Sequence, residues 1–169
     1  MIEPAIKYKN ELSQAFAETY GQEKYKYYYN SYFEEETIST DDWQRRQFAV
    51  IYNNKVIGYI AYSIEREARI AHRFKAINFT DNILVFAKAM KEVIHDIFTK
   101  YRFIKLNWAV TCGNPAEKGY DRLCKKYGGR IVGIYRFDTM GWDGVIRDTK
   151  IYELMRSEYL ENIKWVKHL

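Results

Sequence analysis

The side chains most able to do chemistry lie close together, in Asn107-Trp-Ala-Val-Thr-Cys-Gly-Asn-Pro-Ala-Glu-Lys-Gly-Tyr-Asp-Arg-Leu-Cys-Lys-Lys-Tyr-Gly-Gly129. Tyr120 and Tyr127 carry phenols able to donate a proton. Cys112 and Cys124 carry thiols, but no His or Asp is set beside either in the pattern that activates a nucleophile. They read as free, at least partly buried thiols. No Cys-x-x-Cys pair and no His-x-x-x-His spacing occurs, so no metal site is expected.

The elements that position this run can be read from periodicity. Arg102–Val110 alternates Ile104, Leu106, Trp108 and Val110 with polar neighbours, which predicts a strand with one buried face. A helix follows, with Asn114 as N-cap, Pro115 in its first turn and Glu117 at the third position. Tyr120, Leu123, Cys124 and Tyr127 form its apolar stripe, and Gly128-Gly129 ends it. A packed core role suits both tyrosines as well as a chemical one. Upstream, Ile83, Phe86, Ala87, Met90, Val93, Ile94, Ile97 and Phe98 predict a long helix over Asp81–Lys100. Gln47–Tyr52 and Lys55–Ile64 read as a hairpin turning on Asn53-Asn54, and Arg69–Phe79 as the next strand.

Nearer the N-terminus, a short strand is predicted near Ala5–Lys7 and a helix over Asn10–Tyr20. Tyr25, Tyr28, Tyr29, Tyr32 and Phe33 predict a second helix with an aromatic core stripe. Arg130–Thr139 and Val145–Met155 read as a closing hairpin. The expected fold is α/β (α+β): one domain over residues 1–169, with a central mixed sheet of six to seven strands flanked by four helices.

Composition narrows the partners. The net charge is +5 and no basic run resembles a nucleic-acid arm, so no nucleic-acid partner is expected; an anionic, nucleotide-bearing ligand is the sharper use of the charge. No apolar stretch approaches the roughly 20 residues of a membrane helix, so no membrane partner is expected. Two cysteines and no signal peptide point to a reducing cytoplasm.

The element order resembles the acetyl-CoA-dependent GCN5-related N-acetyltransferases (GNAT), an acyl-CoA N-acyltransferase-like fold. The hairpin Phe48-Ala-Val-Ile-Tyr-Asn-Asn-Lys-Val-Ile-Gly-Tyr-Ile-Ala61 is similar to that family's second and third strands. Asn114…Tyr120…Tyr127-Gly128 is similar to its Asn–Tyr–Gly helix. The resemblance implies transfer of an acetyl group from acetyl-CoA to a small amine or Lys-bearing acceptor by direct attack. Tyr120, or alternatively Tyr127, would then protonate the departing thiolate. Glu65, Glu67 or His72 would serve as base, with Glu67 the preferred choice. An amide N–H near Trp108–Val110 would stabilise the oxyanion. Trp108 and Tyr120 are expected to approach one cleft. The acidic segment Glu34–Asp42 would attract a cationic acceptor. A homodimer is allowed for.

One departure from the family pattern matters. The diphosphate loop should be glycine-rich, yet Asn78-Phe-Thr-Asp-Asn-Ile-Leu84 has no glycine and no Arg. Asp81 is placed to cap the helix and repel phosphate. The residues left to hold the cofactor are Phe79, Thr80, Asn82, Ile83, Leu84 and Val85, with Asn114 at the thiol end. The competing expectation is a binding protein on the same scaffold without catalysis.

Overall fold

The structure, a computed structural model, describes residues 1–28 and 37–166, with side chains through 163. Seven strands form one sheet: β1 Ile2–Pro4, β2 Arg45–Tyr52, β3 Lys55–Glu65, β4 Ile70–Asn78, β5 Lys105–Thr111, β6 Arg130–Met140 and β7 Ile146–Met155. They lie in the order β1-β2-β3-β4-β5-β7-β6. All neighbours are antiparallel except β4 and β5. That parallel pair requires a crossover, supplied by the helix Ile83–Thr99. The other helices are Lys9–Thr19, Glu117–Tyr127 and Arg156–Val166. In chain order the four are α1 to α4.

A buried core lies on each face of the sheet, while the edge strand β6 is largely exposed. Alternation along β2 and β3 sends Ala49, Ile51, Tyr59 and Ala61 to the side of α1, where Leu12 and Phe16 pack. Val50, Ile60 and Tyr62 go to the opposite side, against Val93, Ile97 and Phe98 of α2, with Leu123 of α3 and Tyr159 of α4 in the same cluster. Gly58 lets α2 settle this closely. A Cβ there would lie 2.5 Å from the Phe86 ring and 2.8 Å from the Ile77 carbonyl oxygen.

The hairpin turns on Asn53 and Asn54, both at positive φ (49° and 58°), as a two-residue connection between twisted strands demands. Three expectations shift. The first strand lies at Ile2–Pro4, and Ala5–Tyr8 is a 3₁₀ turn. Of the predicted aromatic helix, Glu23–Tyr25 is a 3₁₀ turn with Tyr28 just beyond it; Tyr29, Tyr32 and Phe33 lie outside the described residues. The closing helix α4 was not expected from the sequence. It brings Tyr159 to 4.8 Å from Phe98 and 5.0 Å from Tyr127, ring centre to ring centre. No helix among the described residues is long and apolar enough to cross a membrane.

Candidate active site

β4 and β5 pair at Ile70–Lys105 and Ala71–Leu106 and then separate. The cause lies in β4. Ala61 pairs with Lys75 and Ser63 with His72, so Arg73 and Phe74 together oppose Tyr62. This is a β-bulge, with Arg73 at φ 51°. Bulges add local twist and bend the strand. Past it, β4 turns away and a cleft of about 500 Å³ opens between the strands. Phe74–Ala76 form one wall and Ala109–Thr111 the other. Asn114 and Ala116 just ahead of α3 and Tyr120 on it line the cleft, Tyr27 and Tyr28 form the rim, and Asp138, Thr139 and Thr149 close the β6–β7 side.

Splaying exposes strand edges. Phe79 N–H donates to the Ile57 carbonyl, so the odd-numbered residues at this end of β4 bond β3. Ala76 and Asn78 therefore turn their N–H and C=O groups into the opening. Their carbonyls accept the Tyr28 hydroxyl at 3.2 Å and the Tyr25 hydroxyl at 2.9 Å. On β5, Cys112 N–H donates to the Asp148 carbonyl of the β7 side. The alternate residue Ala109 thus faces its amide into the cleft, within the Trp108–Val110 stretch expected to carry an oxyanion donor.

Tyr120 is fixed from below by the turn that leads into α3. Asn114 Oδ1 accepts Ala116 N–H at 2.9 Å, and Glu117 Oε2 reaches back to Gly113 N–H at 2.9 Å. The expected capping box shifts: Asn114 caps the turn leading into the helix, and Ala116 takes the N-cap position without a side-chain cap. Glu117 reaches Gly113 N–H, while Asn114 N–H bonds the Thr111 carbonyl. Lys150 of β7 ion-pairs with Glu117. The hydrogen bonds from Lys150 and from Gly113 N–H hold the Glu117 carboxyl below the usual carboxylate range. The Tyr120 ring packs 5.7 Å from Trp108 and 5.9 Å from Tyr152. Its hydroxyl takes no hydrogen bond from the described residues and lies on the cleft wall. Burial pushes this phenol up to about 12, so it stays protonated at neutral pH.

Not every expected residue reaches this place. Trp108 is buried and stacks on Tyr152 at 5.2 Å, behind the wall rather than in it. Tyr127 packs on Tyr159, away from the cleft. Glu65 ends β3, Glu67 occupies the β3–β4 turn and His72 the start of β4, at the end where β4 and β5 are still paired. Asp41 and Asp42 do not line the cleft either: Asp41 Oδ1 accepts Trp43 N–H at 2.7 Å, and Asp42 lies 3.7 Å from Arg46. Glu34–Glu36 lie outside the described residues. The one carboxylate among the described residues lining the cleft is Asp138, which the sequence reading missed. Its signal was faint, one Asp between Phe137 and Thr139 in a strand that also carries Arg130 and Arg136.

The loop ahead of α2 is built without glycine. Asn78 Oδ1 accepts Thr80 N–H at 3.1 Å and the Thr80 hydroxyl at 3.2 Å, and Thr80 Oγ1 accepts Asn82 N–H at 3.2 Å. Phe79 turns inward, edge-on to Phe16 at 5.2 Å. Asn82 precedes the helix but its side chain does not cap it. Asp81 does not cap it either: its carboxylate is fully exposed, 3.8 Å from Lys24. Ile83 N–H donates to the Asp81 carbonyl. The N–H groups of Leu84 and Val85 have no acceptor among the described residues. Two free donors at the positive end of a helix dipole suit an anion.

No protein-family model matches this sequence, and neither does any curated protein sequence. Solved structures do match. A GCN5-related N-acetyltransferase from Brucella melitensis superposes with a TM-score of 0.69 at 19% identity, over 94% of this chain and 76% of that one. A point mutant of the spermidine N-acetyltransferase SpeG from Vibrio cholerae gives 0.69 at 16% identity, over 95% of this chain and 97% of that one. The chain therefore has the fold of the GCN5-related N-acetyltransferases.

Proposed function

We propose that this chain transfers an acetyl group from acetyl-CoA to an amine by direct attack in the cleft between β4 and β5. The observation that carries the reading is one geometry: the splayed strands place a free, protonated Tyr120 phenol in the cleft wall, and α2 starts with free N–H groups just past the open end of β4. The volume suits a small ligand, since such sites run about 300–1,000 Å³. The Ala76 and Asn78 N–H groups on the splayed edge suit the carbonyls of an extended chain bearing amides, and Leu84 and Val85 N–H suit its diphosphate.

Ala109 N–H is the donor for the carbonyl oxygen as negative charge develops there. The acceptor nitrogen forms its bond to the carbonyl carbon, the carbon–sulfur bond breaks, and Tyr120 gives its proton to the departing sulfur. The proton lost by the amine goes to Asp138, directly or through water. The Asp138 carboxylate also favours a cationic acceptor, either a polyamine or a Lys side chain. The similarity to a spermidine N-acetyltransferase fold adds support for the first. Incubation with acetyl-CoA and spermidine or a Lys peptide should release free thiol and yield the acetylated amine; failure of every amine to react would remove this reading.

The Asp81 carboxylate points away from the helix mouth but remains near it, so Asp81→Asn should tighten acetyl-CoA by about two- to five-fold at low salt. Calorimetric titration checks this. Unchanged affinity would show that Asp81 does not oppose the ligand.

A further inference from the structure

A second pocket of about 220 Å³ lies at the opposite end of the sheet, where β4 and β5 are still paired. Arg46, Arg66 and Arg69 line it around Ile64, Tyr101 and Phe103. Arg46 comes from β2, and Arg66 and Arg69 stand at the two ends of the β3–β4 turn.

Each is oriented by a neutral group. Arg46 stacks on Tyr101 at 4.2 Å and donates from Nη1 to its hydroxyl at 3.1 Å. Arg66 lies 3.7 Å over the Trp43 ring and donates from Nε to the Trp43 carbonyl at 2.8 Å. Arg69 donates from Nη2 to the Arg102 carbonyl at 2.8 Å. These contacts hold the forks but use few of their five N–H donors each. Negative charge is scarce beside them. Asp42 approaches Arg46 at 3.7 Å. No carboxylate of the described residues forms an ion pair with Arg66 or Arg69, although Glu67 shares their turn and Glu65 immediately precedes it. Like charges gathered in one small pocket repel, and an anion relieves that repulsion. A planar carboxylate offers two oxygens in one plane, whereas a tetrahedral oxyanion accepts from three directions at once.

We propose that Arg46, Arg66 and Arg69 form a binding site for the phosphate group of a small phosphorylated molecule, distinct from the acyl-transfer cleft. Its position at the closed end of the strands keeps its ligand out of contact with the reacting atoms. Occupation would tie the β3–β4 turn to the segment entering β5.

The test is a titration of ¹⁵N-labelled protein with inorganic phosphate, pyrophosphate and, as a dianion whose charges sit on planar carboxylates, succinate, in a phosphate-free buffer at low salt. The expected result is saturable amide shifts at residues 64–69 and 101–104 with phosphate or pyrophosphate. Arg66→Gln and Arg69→Gln should each weaken binding by about ten-fold or more. Arg66→Lys, which keeps charge and loses the fork, should restore only part. Both side chains are exposed, so these variants retain the fold, and the wild-type shift map is an independent readout. A response to inorganic phosphate alone, or to pyrophosphate as well, distinguishes a single-phosphate site from a diphosphate one. Shifts confined to residues 82–86, equal binding of succinate, or affinity unchanged in both Gln variants would overturn the proposal.

Discussion

Tyr120→Phe is expected to lower kcat by about 10²- to 10⁴-fold, the range a positioned general acid supplies. The hydroxyl makes no hydrogen bond to the described residues, so its removal should leave thermal unfolding nearly unchanged. The ring remains to pack on Trp108 and Tyr152, so KM for acetyl-CoA should move little. Tyr127→Phe is the control and should leave kcat as it is, because that ring meets Tyr159 instead of the cleft. The pH profile adds a check. A phenol pushed up to about 12 keeps its proton across the ordinary range. The rate should therefore rise with pH as the acceptor amine deprotonates, with no fall below about pH 10. A decline near pH 8 together with an inert Tyr120→Phe substitution would remove Tyr120 from the chemistry.

Gly58→Ala carries the second large effect, on stability first and function second. The added Cβ would lie 2.5 Å from the Phe86 ring, with the Ile77 carbonyl at 2.8 Å on the other side. Phe86 is in the first turn of α2, packed against the core, so it cannot swing clear into solvent. Overpacking of this kind costs about 1–3 kcal/mol, which lowers Tm by roughly 2–12 °C in a chain of this size. The same displacement pushes the start of α2 away from the sheet and moves Leu84 and Val85 N–H with it. Acetyl-CoA should bind more weakly in Gly58→Ala even at temperatures where the variant is folded. Differential scanning calorimetry and a ligand titration separate the two effects. An unchanged Tm would contradict the packing account.

Much of the fold could be read from the sequence where a local rule speaks for itself. Asn53-Asn54 predicts the hairpin because asparagine tolerates positive φ. The apolar spacing of Ile83–Phe98 predicts a crossover helix, and a crossover helix predicts the parallel pair. Asn114 marks the turn that opens the tyrosine-bearing helix, and Gly128, at φ 81°, marks its end. The site was harder to read because its geometry depends on events that leave no local trace. The bulge at Arg73 opens the strands, yet no glycine or proline announces it. Tyr120 and Tyr127 share one stripe but stand two helical turns apart, about 10 Å along the axis, so only one reaches the cleft. Glu67 is near β4 in sequence, but sequence does not say which end of the strand opens. Asp138 reaches the cleft from β6, an edge strand separated from β5 by β7. The altered loop misled for a different reason: Asp81 looked like a cap, but its side chain extends into solvent near Lys24 and leaves the helix mouth open.

Calorimetric titration of acetyl-CoA into the wild-type chain and into Ala109→Trp tests the central claim most directly. Ala109 is exposed on the cleft wall, so an indole there fills the opening without entering the core. The account predicts one acetyl-CoA bound per wild-type chain and none by the folded Ala109→Trp variant. No binding to the wild type, or binding undiminished by the blocked cleft, would contradict it.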